Sequence, residues 1–211
     1  MNGVIVRSVR GTAAVSAYIV AVWFGILFTH EAGHVLHALV SGGQVERVTV
    51  PVWGFSRTDL GSNPRPVFVA WGGFVWGVGF PILIAGLVGR CLPGIAAALR
   101  GFAAAALIGN GVYACGGVGD VEDIVRAGGW RWPLVVYGLC SLAAGVYLLR
   151  RVGGTLRSVW ELPGRSVVGV VAVAAALVGV AIALTDSQGG RAPAPDYSGG
   201  FCPEIGARSG P

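Results

Sequence analysis

The residues best suited to chemistry are His30, Glu31 and His34, in the run Thr29-His-Glu-Ala-Gly-His-Val-Leu-His37. On an α-helix, residues four apart are separated by about 40° around the axis and one turn along it. His30 and His34 would therefore turn their imidazoles toward one point, as two ligands of a tetrahedral zinc ion do. Glu31, next to the first ligand, could act as general base toward a water on the metal. The chain has only three histidines, all within this stretch. The third, His37, lies about 10 Å along the axis from His30, too far for the same ion, and reads as a hydrogen-bonding or interfacial residue. A His-Glu-His cluster in an apolar segment is costly unless it has a use. The bland alternative is a polar cluster between helices.

The elements that must position this motif are membrane spans. Of 211 residues, 54% are hydrophobic and 12% charged, against roughly 25% charged in a soluble domain. So few charges exclude intrinsic disorder and cannot cover a water-soluble surface. Five apolar segments approach the ~20 residues needed to cross a bilayer: Gly11 to Val40, Val67 to Val88, Ile95 to Val118, Pro133 to Leu149 and Ser166 to Leu184. The expected fold is an all-α polytopic membrane protein. Its membrane domain spans residues 1–184, with a core at 12–130, followed by a flexible polar tail at 185–211. Part of Val45–Val52 alternates apolar and polar residues, the pattern of a strand or hairpin beside the membrane.

Other features carry less. The net charge is +5 and every basic residue is Arg, but the arginines are scattered between apolar segments, which argues for interfacial placement and against nucleic-acid binding. Cys91, Cys115, Cys140 and Cys202 have no CxxC spacing and read as small apolar residues. Gly73 and Gly77, four apart, suit close helix packing. Gly109, Gly111 and Ala114 fit GxGxxA but follow no strand, so a nucleotide loop is rejected.

Two histidines leave the coordination incomplete. Asp120, Glu122 and Asp123 follow the third span. The first and third spans run in the same direction if the second crosses once between them, so these carboxylates and the HExxH share a membrane side. Asp120 follows Gly116, Gly117 and Gly119, where a bend could bring the backbone close. Asp123, one turn on, is the alternative ligand, or could orient a ligand histidine through its ring N–H. Glu122 should point elsewhere, and the whole group could be a plain interfacial loop.

The HEAGH motif, the following Gly42-Gly43-Gln-Val-Glu-Arg-Val-Thr-Val50 and the Asp after a third span resemble the site-2 protease family of intramembrane zinc metalloproteases. The likeness covers about Val20 to Gly129 and is closest to short members without a PDZ domain. It implies zinc on His30, His34 and Asp120, with Glu31 activating water. It also implies a membrane-associated β-element that pairs with extended substrate. The chain departs from the family pattern after the third ligand, where Val121 stands in place of Gly, and the nearest upstream Asn is Asn110, followed by Gly111. The expected activity is endopeptidase cleavage of membrane-embedded or juxtamembrane segments of membrane proteins, in the plasma (inner) membrane. The alternatives are a zinc-binding scaffold without turnover and a metal transporter; an intact Glu between the histidines favours the enzyme. Eight arginines flank the spans on the N-terminal side and five on the other, leaving aside Arg191 and Arg208. That count points to a cytoplasmic N terminus. The resemblance implies the reverse, with the HExxH end toward the cytoplasm, and that orientation is the one expected here.

Overall fold

The computed structural model describes residues 2–186 apart from 53, 153 and 163. Its elements in chain order are α1 (Asn2–Val40), β1 (Gln44–Thr49), β2 (Arg57–Ser62), α2 (Pro66–Cys91), α3 (Ala96–Gly116), α4 (Asp120–Arg126), α5 (Trp132–Arg151), α6 (Thr155–Trp160) and α7 (Gly164–Asp186), with a short 3-10 turn at Pro93–Ile95 before α3. Helices α1, α2, α3, α5 and α7 are long and apolar enough to cross a membrane. The chain is a multi-pass α-helical membrane protein with one small β-hairpin. Its outer faces carry Ile5, Leu87, Val136 and Val168, all exposed, as lipid-facing positions should be.

Several boundaries differ from the sequence expectation. Helix α1 runs back to Asn2 through Arg7 and Arg10, because exposed arginines do not interrupt a helix. At about 1.5 Å per residue its 39 residues exceed a 30 Å hydrocarbon core. The helix that carries the fifth span continues to Asp186, so the first two residues assigned to the polar tail are helical; residues 187–211 lie outside the described residues. Cys202 is among them, and Cys91, Cys115 and Cys140 are free thiols.

Packing follows the small residues. Gly33 of α1 and Gly72 of α2 meet backbone to backbone: a Cβ on either would land on the other's carbonyl oxygen. Gly111 of α3 faces the Gly138 carbonyl of α5 and Ala114 also meets Gly138, so these two residues of the GxGxxA pattern serve helix contact, while Gly109 meets open space. Phe74, Ile124 and Leu134 are fully buried in one apolar cluster with Ala70, Ala114 and Val121, joining α2, α3, α4 and α5.

Strand β1 pairs with β2 in antiparallel register, Val48 opposite Thr58 and Thr49 opposite Arg57. The partly alternating Val45–Val52 stretch supplies β1, but β2 has no such pattern. The hairpin is tied down where Val50, fully buried, enters a cluster with Phe24 of α1 and Ala181 of α7.

Candidate metal centre

The motif lies within α1, whose last residue, Val40, is six positions beyond His34. That places the imidazoles of His34 and His30 about 9 Å and 15 Å below the end of the helix. Glu31 is 2% exposed and His34 is 7% exposed. Such burial is possible because α2 passes close: a Cβ on Gly73 would strike the Nε2 atoms of both His30 and His34. The Gly73 and Gly77 pair therefore has particular duties, Gly73 facing the imidazoles and Gly77 the Asn110 side chain.

The carboxylate arrives through a glycine turn. Gly117 ends α3 with φ 78° and Gly119 precedes α4 with φ 60°, left-handed conformations that side chains resist. A Cβ on Gly119 would also strike the Tyr113 hydroxyl. Released from that turn, Asp120 opens α4, its backbone N–H donating to Tyr113 Oη at 3.2 Å. Its Oδ2 lies 2.8 Å from His30 Nε2 and 3.2 Å from His34 Nε2. The two Nε2 atoms are themselves 3.2 Å apart.

The protonation of this triangle can be read from its outer partners. His34 Nδ1 is 2.9 Å from the Val69 carbonyl oxygen. That oxygen can only accept, so Nδ1 carries a proton, and in the neutral ring Nε2 presents its lone pair inward. Asn110 Nδ2 donates to the Ala106 carbonyl at 3.0 Å, which leaves Asn110 Oδ1 facing His30 Nδ1 at 3.4 Å. The same reasoning puts the His30 proton on Nδ1. Two imine lone pairs and a carboxylate oxygen thus converge within 3.2 Å. With neutral rings, three acceptors this close repel unless a cation, proton or metal ion, sits among them, and two imidazoles with a carboxylate are a donor set that suits a metal ion. His30, Glu31 and His34 offer ligand atoms all within 4.8 Å of one another and could hold one. When a proton takes the cation's place, burial opposes ionisation of Asp120, but its hydrogen bonds with His30 and His34 outweigh that and hold its carboxyl well below the usual carboxylate range.

The other candidates are placed apart from the triangle. Asp123 has a largely exposed side chain, 3.8 Å from Arg126. Burial and the neighbouring Asp120 charge push its carboxyl up, with Arg126 opposing. The orienting role considered for Asp123 falls instead to Val69 O and Asn110 Oδ1, which take the ring N–H groups. Glu122 pairs with Arg126 at 2.8 Å. His37 bonds elsewhere: its Nδ1 donates to the Phe68 carbonyl at 2.7 Å, and Trp76 Nε1 donates to its Nε2 at 3.2 Å.

A cleft of about 960 Å³ opens onto the centre, with Glu31, His34 and Asp120 in its floor. One wall is Phe55, Ser56, Arg57, Thr58 and Leu60 of the hairpin. β1 occupies one edge of β2, and among the described residues no strand pairs with the other edge. Phe55 stacks on Tyr113 across the opening, ring centroids 6.0 Å apart. Thr58 Oγ1 donates to Glu31 Oε2 at 2.6 Å. Sequence reasoning passes over Thr58 and Tyr113 because neither belongs to a spaced motif, and it does not place Asn110, the nearest upstream Asn, beside His30. No family model, curated protein or solved structure matches this chain, and its functional reading rests on the geometry of these side chains.

Proposed function

We propose that this protein is an intramembrane zinc metalloendopeptidase acting on membrane-embedded or juxtamembrane peptide segments. The observation that carries the reading is the position of Glu31, buried beside the converging nitrogens of His30 and His34 and the Asp120 oxygen, in the floor of an open cleft. It is the only carboxylate within the five spans. A ligand set needs no such group, whereas hydrolysis needs a base. Donors bound to zinc at 2.0–2.1 Å in a tetrahedron stand about 3.3 Å apart, close to the separations of 2.8–3.2 Å here. Two histidines and one carboxylate leave a fourth position for water or substrate, the arrangement of a hydrolytic site. The HEAGH motif and the Asp after a third span, which resemble the site-2 protease family, point the same way.

Zinc bound by His30, His34 and Asp120 would supply a Lewis acid that acidifies water and polarises a peptide carbonyl. The remaining work falls to the chain. Glu31 accepts the water proton and returns it to the departing amine. Val69 O and Asn110 Oδ1 fix the tautomers that turn both Nε2 atoms inward. The edge of β2 that β1 leaves open among the described residues is where a substrate strand would add. A helical substrate cannot be cut while its carbonyls are bonded internally, so capture of an unwound segment on a strand edge meets a physical need. A metal transporter would need ligands along the rest of the crossing, and outside the site the spans contain no carboxylate and no histidine but His37. The test is cleavage of co-expressed single-span membrane proteins by the wild-type chain with Glu31→Gln as the blank, alongside metal analysis of both.

A further inference from the structure

The hairpin does more than border the cleft. Val50 anchors one end of it in the bundle, fully buried against Phe24 and Ala181. At the same end, on the partner strand, Thr58 stands opposite Val48 in the register, which fixes its backbone. Its hydroxyl donates to Oε2 of Glu31 at 2.6 Å, a short contact of the charge-assisted kind when the carboxylate is ionised. A carboxylate acting as base needs one oxygen free and its plane held, and Thr58 engages one of the two oxygens. Threonine suits the task, since its β-branched side chain is stiff at χ1. The strand that carries this hydroxyl also lines the cleft, through Arg57, Thr58 and Leu60. Base orientation and the register of a peptide laid along β2 are therefore set by a single element.

We propose that Thr58 is a positioning residue that acts through Glu31, holding Oε2 so that Oε1 takes the proton, and tying the cleft strand to the base. This rests on the peptidase reading of the site. Thr58→Val keeps the shape and removes the donor; Thr58→Ser keeps the donor and loosens it. With a quenched fluorescent peptide of one apolar span as substrate and the full chain in lipid nanodiscs, Thr58→Val should lower kcat by about 10- to 100-fold. KM should stay within about threefold, because the strand's backbone groups are untouched, and metal content should be unchanged. Thr58→Ser should recover most of the rate. A purely structural role would instead move KM or metal content and would not discriminate serine from valine.

A second measurement does not depend on turnover. Hydrogen exchange of residues 50–62 should quicken about tenfold in Thr58→Val and in Glu31→Ala, and the double variant should exchange no faster than either, because all three lose the same bond. Unchanged exchange in Thr58→Val, or additive effects in the double variant, would overturn the tether. Wild-type cleavage with full kcat in Thr58→Val, or with Thr58→Ser as impaired as Thr58→Val, would overturn the positioning role and leave the peptidase reading standing. A non-additive exchange cycle in a chain that cleaves nothing, wild type included, would overturn the peptidase reading and the positioning role with it.

Discussion

At its N-terminal end α1 packs through Ala14 against Val159, Leu162 and Val167, with Gly11 beneath the Trp160 indole. At its other end the same helix buries Glu31 and His34 and touches α2 backbone to backbone at Gly33 and Gly72. The first contact is apolar surface on apolar surface, which many side chains of similar volume could supply. The second gathers three of the four buried polar side chains described, Glu31, His34 and Asn110, with Ser141 the fourth. Polar groups in a membrane interior are costly alone, so they are concentrated where each satisfies another. The difference teaches where substitution will be tolerated and where it will not.

The largest effect should come from removing the donor triangle. Purified wild-type protein should hold close to one zinc ion per chain, and the double change His30→Ala, His34→Ala should leave less than about a tenth of it. Asp120→Ala should also lose most of the metal, while Asp123→Ala and Glu122→Ala retain it. Elemental analysis of the variants in parallel checks this, and severe loss at Asp123 with Asp120→Ala intact would reverse the assignment.

A glycine comparison comes next. Gly73→Ala puts a methyl group onto the two imidazoles and should cost about 1–3 kcal/mol of overpacking together with metal affinity. Gly169→Ala in α7 meets open space and should be neutral or stabilising by up to about 1 kcal/mol. Thermal unfolding in detergent, with and without added zinc, measures both. Equal effects at the two glycines would erase the distinction between the two regions.

Smaller effects sharpen it further. Asn110→Ala leaves the His30 ring N–H without its partner and should weaken metal binding about 10-fold, read by competition with a zinc chelator. Arg126→Gln breaks only exposed pairs with Glu122 and Asp123 and should change stability by less than about 1 kcal/mol.

The two kinds of region also differ in how much of them could be read from the sequence. The spans were legible because an apolar run of bilayer length has one stable outcome, and Ser166–Leu184 is a span to the residue. The proximity of Asp120 to the HExxH followed from helix direction alone. Strand β2 was not legible, since Arg-Thr-Asp-Leu-Gly-Ser has no alternation and becomes a strand through pairing with β1. Thr58, Tyr113 and the Gly73 contact were hidden for a related reason. Each acts across elements distant in sequence, on a neighbour that only the packed bundle defines.

The central claim is that Glu31 is the base of a metal-dependent peptidase, and the most direct measurement sets zinc content and cleavage side by side for wild type and Glu31→Gln. An amide cannot accept the water proton, so the variant should bind as much zinc as wild type while cleaving a single-span substrate at least about 100-fold more slowly. A Glu31→Gln protein that holds its zinc and still cleaves at the wild-type rate would contradict the account.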